Sequence, residues 1–210
     1  MATSTEHDQD EEQTWEPVDD YHYDSLDDIP TLRAVSNFAK LLKTASWFSV
    51  IGMPLSEDER SEALDYLNAL GFPDAGIGEI TDWEDAEEAA RNPDWNTGWW
   101  EAEEQLRAAL VYQAVELIGD EETLLVALTH VTSTASDVVH GAAAVAASRF
   151  GLADEGLIRA AAGAATQSAY QAALVLAAGE DESHAFSAKF RLFEGGRWPL
   201  GVVGNTLNVF

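Results

Sequence analysis

The sequence predicts an all-α fold, an antiparallel bundle of about six or seven helices with an acidic disordered N-terminal arm and a short extended C-terminal tail. Three observations carry this. Four stretches of the second half each open on a capping side chain and close on glycine: Asn96 to Gly119, Asp120 to Gly151, Asp154 to Gly179, and Asp181 to Gly195. A side-chain oxygen at the start satisfies free backbone N–H groups, and glycine at the end turns the chain without a Cβ penalty. The links between these stretches are a few residues long, which sets neighbouring helices antiparallel. Alanine, the best helix former, is concentrated in the same half, as in GAAAVAA at 141–147.

Taken in order, residues 1–30 hold 11 acids and no Lys or Arg. Such a segment cannot bury enough apolar surface to offset its ordering entropy, so it is expected to be a disordered arm. Trp15, Tyr21 and Tyr23 are its exceptions and could anchor its end on the domain. Residues 31–210 read as a single helical domain: an acidic helical subregion at 31–93, four long central helices at 94–194, and an extended tail at 195–210. Leu32, Val35, Phe38, Ala39, Leu42, Ala45 and Phe48 recur at spacings of three and four, an amphipathic stripe. Ser56 followed by Glu59 has capping-box spacing, and that helix stops at Gly71. Thr81 before Glu84 opens a third, short helix that Pro93 ends, and FPDAGIGEI at 72–80 reads as a loop or brief extended segment. In the tail, Pro199 and Gly201 forbid helix, and Val202, Val203, Leu207, Val209 and Phe210 suit a small hairpin about Gly204–Asn205.

Charge narrows the function. The chain has 38 acids against 11 Lys and Arg, a formal −27. A surface of that sign repels phosphate backbones and anionic membrane surfaces, which argues against nucleic-acid and membrane binding, and it attracts basic partners. The charge is uneven: residues 1–104 carry 27 acids and 5 bases, residues 105–210 carry 11 and 6. With no cysteine, disulfides, thiolate metal sites and a cysteine nucleophile are all excluded. MATSTEHDQDEEQ lacks the basic and apolar regions of a secretory signal, so the expected setting is soluble and cytoplasmic.

The stretch THVTSTASDVVHGAAAVAA (129–147) concentrates the candidate site residues. At 100° per residue, Leu124, Leu128, Val131, Ala135, Val138 and Ala142 share one direction. His130, Thr134 and Asp137 face the opposite way, with His140 at the margin. The plainer reading of the polar side is a solvated face. The sharper one is a site. His130 and His140 lie about 15 Å apart along the axis, too far to share an ion, whereas Asp137 and His140 can share one. This D-x-x-H spacing is similar to the Glu-x-x-His of carboxylate-bridged di-metal bundles, and Asp181 to His184 repeats it. Glu101 and Glu104 on the preceding helix complete a candidate metal set of Glu101, Glu104, Asp137, His140 and His184. The helix at 155–178 lacks the internal acid that a di-metal pattern wants, and Asp181 reads as an N-cap. Ser133, His130 and Asp137 share one helix and so cannot form a nucleophile triad, and no phosphate-binding glycine loop is present.

Further ligand or partner candidates are Arg159, Thr166 and Tyr170, a polar line on the next helix that would form a pocket with His140 if turned inward. Trp99 and Trp100, beside Trp95, sit in the acid-rich segment before the bundle and would anchor a basic partner if exposed. The alanines of 141–147, with Ala161, Ala165, Ser168 and Ala172, let two helices approach closely, as core packing, beside a ligand groove, or at a homodimer seam. The function expected is non-catalytic: an interaction or accessory protein, homodimeric, without a cofactor, binding a partner or small ligand in a groove of the bundle. The alternatives are a metal-binding bundle or enzyme, and an acidic mimic of nucleic acid that occupies a basic protein.

Overall fold

The computed structural model describes residues 29–92 and 94–210. The acidic arm with Trp15, Tyr21 and Tyr23 lies outside the described residues, as does Pro93, read above as a helix stop. Helix α1 (Pro30–Leu41) starts with Ile29 as N-cap and Pro30 in its first turn, where the missing N–H costs nothing. It ends well short of the apolar stripe that reaches Phe48. Residues 42–53 fold instead as successive turns, closed in part by Trp47 Nε1 donating to the Leu42 carbonyl at 2.8 Å. Phe48 sits at φ 57, an uncommon conformation for a bulky side chain, and its buried ring is held edge-on by Phe193 and Trp198. Spacing of three and four persists there because these residues line the same core, not because the helix continues.

Helix α2 (Glu57–Ala69) has the expected capping box: Ser56 Oγ accepts from the Glu59 N–H, and Glu59 accepts from the Ser56 N–H. Helix α3 (Trp83–Arg91) is capped by Asp82 rather than Thr81, its Oδ1 accepting from the Asp85 N–H at 2.9 Å. Helices α4 (Thr97–Ile118), α5 (Glu121–Arg149) and α6 (Glu155–Ala177) are capped by Asn96, Asp120 and Asp154 as their spacing predicts. Gly119 closes α4 at φ 79. Helix α7 (Ala185–Glu194) corrects the reading of Asp181. His184 is the N-cap, its Nδ1 accepting from the Phe186 N–H, while Asp181 turns back on the Ser183 N–H.

The tail folds as the expected hairpin, β2 (Pro199–Val203) antiparallel to β3 (Thr206–Val209). What the sequence did not disclose is its partner. Part of the 72–80 segment is β1 (Gly76–Glu79), which adds parallel to β3, giving a three-stranded sheet in the order β1-β3-β2.

Helices α5 and α6 form the central pair, with α1 laid across both. Ala143, Ala147, Ala161 and Ala165 are completely buried in the core around this pair, so the alanine series serves intramolecular packing. On α5 the buried line runs through Val131, Ala135, Val139 and Ala143, and His130, Asp137 and His140 are exposed. Thr134 departs from the expected phase and is buried. Its hydroxyl donates to the His130 carbonyl one turn back at 2.8 Å, so the helix itself satisfies the polar atom and the methyl packs inward. A second, smaller core lies where α2, α4 and α7 meet the sheet: Tyr66, Leu67, Trp99, Leu192, Val202 and Leu207 are buried there. Among the described residues no helix is long and apolar enough to cross a membrane.

Candidate functional site

The second core holds the polar chemistry. The first turn of α4 is tied to the hairpin by Asn96. Its Oδ1 caps the helix through the Trp99 N–H, its Nδ2 donates to the Gly204 carbonyl at 2.9 Å, and its own N–H donates to the Val202 carbonyl. This draws Trp95 and Trp99 onto strand β2, where their ring centroids stand 5.9 Å apart, tilted by 31°. Gly201 makes room for them. It sits at φ 135, and a Cβ there would collide with the Trp95 ring.

One turn beyond Trp99, on the same face, is Glu103, only 5% exposed. Its Oε1 accepts two hydrogen bonds, from Tyr66 Oη of α2 at 2.7 Å and from Lys189 Nζ of α7 at 2.6 Å. Lys189 is 8% exposed and also donates to Gln171 Oε1 of α6 at 3.3 Å. Its ammonium lies 5.9 Å from the Tyr66 ring centroid and 5.7 Å from that of Trp99. The Trp99 indole N–H donates to Tyr66 Oη at 2.6 Å. Burial, and then the neighbouring Glu103 carboxylate, push the Tyr66 phenol well above its ordinary value, which keeps it protonated as the donor. Glu103 Oε2 has no hydrogen-bond donor among the described residues.

Over this pair opens a cavity of about 390 Å³, walled by Trp95, Trp99, Trp100, Pro199 and Leu200. Glu103 and Lys189 line it. A largely apolar concavity with a few fixed polar groups is the usual form of a small-molecule site.

A second ion pair, between buried Arg197 and half-buried Glu59, is built differently. All five N–H groups of Arg197 are taken: Glu59 accepts two, and the carbonyls of Val50, Met53 and Pro54 accept the rest. Burial alone would raise the Glu59 pKa, but hydrogen bonds from Arg197 and Ser56 outweigh it and hold the carboxyl at about 2. That clamp fastens the turns at 49–54 to α2 and leaves no group open to a ligand.

The residues singled out from sequence divide three ways. Trp99 and Trp100 line the tryptophan cavity, Trp99 buried and Trp100 60% exposed at its mouth. His140, Arg159, Thr166 and Tyr170 are brought together along a second, more open groove of about 620 Å³ between α5 and α6, and Gln167 lines both cavities. His130 faces solvent, and Thr134 is buried. The metal set is not assembled. Glu101, Asp137 and His140 are exposed, Glu104 pairs with Arg107, and His184 caps α7. Burial outweighs the pull of Glu180 and Asp181 and lowers the His184 pKa, in keeping with a neutral acceptor. Among the described residues no three His, Asp or Glu side chains lie close enough to hold an ion.

Sequence reasoning missed Glu103, Lys189, Tyr66 and Gln171. A trace of the pair was visible. Lys189 is the lone lysine of the second half, set in the apolar run AFSAKF, and a lysine on a buried face requires an acid opposite it. No family model, curated protein or solved structure matches the chain.

Proposed function

We propose that this protein is a non-catalytic binding module that holds a small ligand, or a side chain of a partner, in the tryptophan-walled pocket. The observation that carries the reading is the Glu103 carboxylate. The residue is almost wholly buried and lines the cavity, and one carboxylate oxygen has no donor among the described residues. Its second oxygen is not sealed from solvent, and an open acceptor on a residue that lines a cavity can take a donor from a ligand. Hydrogen bonds from Tyr66 and Lys189 fix the carboxylate in place, an arrangement suited to holding a ligand without reorganisation. The test is a fragment titration followed by the indole N–H signals of Trp95 and Trp99. Those signals are expected to shift in the native chain and not in a Gly201→Ala variant, whose Cβ displaces the Trp95 ring. A broad set of neutral, cationic and anionic fragments that moves neither signal would overturn the proposal.

Trp100 supports a basic partner as well. It is exposed at the pocket mouth with Asp94 and Glu101 exposed nearby, and a tryptophan in an acidic surround is a good anchor for a cationic segment. A lysine- and arginine-rich peptide should then bind the native chain and lose affinity on Trp100→Ala and on adding salt. A homodimer in a cytoplasmic setting completes the proposal. Exposed Tyr112, Leu117, Leu125 and Val126 on α4 and α5 support it, and light scattering showing a monomer at all concentrations removes the dimer.

A further inference from the structure

We infer that the ligand of the tryptophan pocket is an uncharged planar ring with an N–H donor next to a carbonyl acceptor, the lactam edge of nucleobases and related heterocycles. This rests on the pocket being a binding site and adds the chemistry of what it takes.

The floor sets the edge. Lys189 has three N–H donors and, among the described residues, two oxygen acceptors, Glu103 Oε1 and Gln171 Oε1, so its third N–H has no oxygen partner there. Glu103 has one oxygen doubly occupied and the other without a donor. Lys189 and Glu103 meet at Oε1 and both line the cavity, so a ligand that reaches one group lies beside the other. A ligand that satisfies both must offer a donor and an acceptor on adjacent atoms. Rotation of the carboxylate would break this match, and Tyr66, itself held by the Trp99 indole N–H, prevents it.

The charges set the ligand's own charge. The ammonium and carboxylate cancel, so the floor gives no net attraction to either sign. An anion is opposed by Glu103 and by a chain of formal charge −27, and a cation that this charge draws to the mouth still meets the Lys189 ammonium at the floor. The walls set the shape. Trp95 and Trp100, the less buried of the three lining tryptophans, offer aromatic surface on which planar rings stack, and about 390 Å³ suits a small heterocycle.

Calorimetry and the Trp95 and Trp99 indole N–H signals of the full chain decide the matter with five probes: uracil, 1,3-dimethyluracil, indole, orotate and benzamidine. Uracil is expected to bind and shift both signals. Dimethyluracil keeps the ring and carbonyls but has no donor, and should bind at least about tenfold more weakly, because it leaves the Glu103 oxygen unpaired. Orotate, the carboxylate analogue, and benzamidine, a planar cation, should also bind more weakly than uracil. Glu103→Gln should weaken uracil and leave indole unaffected, and the ligand series on the native chain stands even if that variant folds poorly. Equal binding of uracil and dimethyluracil, or preference for indole, orotate or benzamidine, overturns the lactam assignment and leaves the pocket as a site for something else. If all five leave the signals unmoved while a broader fragment set moves them, the lactam assignment alone falls. If nothing moves them, both readings fall.

Discussion

The α5–α6 contact and the junction of α2, α4 and α7 are equally well buried and oppositely made. At the first, alanines stand where the helices touch, and of the two fully buried polar side chains on the central pair, Ser168 and Gln171, the second turns to Lys189. At the second, a phenol, a carboxylate, an ammonium and an indole N–H share one hydrogen-bonded chain. The alanine seam gains stability from close approach and asks nothing of partners. The polar junction costs desolvation that its internal bonds offset only in part, and it keeps hydrogen-bonding capacity open on a cavity. The seam is filled by its own side chains, and the junction holds the open groups on which the proposed binding rests.

The largest test of that contrast removes half of the ion pair. Lys189→Met leaves Glu103 buried without its counter-charge and should cost about 3–5 kcal/mol in urea unfolding. The Glu103→Leu, Lys189→Met double variant should regain most of that loss, because both charges go together. A single variant as stable as the native chain would mean that the junction is wetter than its burial indicates.

Next comes overpacking of the seam. Ala165 is completely buried, and Ala165→Leu should cost about 1–3 kcal/mol while leaving pocket binding unchanged. Loss of binding in a folded Ala165→Leu variant would show that the two regions are not separable.

The saturated clamp gives a pH signature. The Glu59 carboxyl is lowered from 4.5 to about 2 in the folded state, with Arg197 as its main partner. A depressed acid stabilises above its unfolded value and loses that contribution as pH falls through the folded one. The stability gap between the native chain and Glu59→Gln should therefore be full above pH 4.5 and close by about pH 2. A gap that stays constant over this range would show that Glu59 is not held by charge.

The smallest effect is expected at Ser168. Its hydroxyl is buried without a hydrogen-bond partner among the described residues, so Ser168→Ala should be neutral or stabilising by up to about 1 kcal/mol in thermal unfolding. A clear loss would reveal a bond to Ser168 that the seam depends on.

Much of the fold was legible because its determinants are local. Asn96, Asp120 and Asp154 cap helices that begin within a residue of them, and glycine at 119 stops one where the pattern says it should. Errors arose where two local candidates competed: Thr81 against Asp82, and Asp181 against His184, each settled by which oxygen or nitrogen meets the free N–H groups. The site was far less legible. Glu101, Glu103 and Glu104 lie within four residues, and helical phase alone did not single out the one whose neighbours would be Tyr66 and Lys189.

By itself, the sequence determined the helical class, most of the caps, the tail hairpin and a strongly negative net charge, because each follows from neighbours in the chain or from summed charge. Tertiary structure alone decided that residues 76–79 pair with the tail, that Lys189 meets Glu103, and that both line a tryptophan-walled cavity. Each of these joins residues far apart in the chain. Such contacts form only once closing the intervening loops is offset by burying the whole core, and no local pattern records that balance.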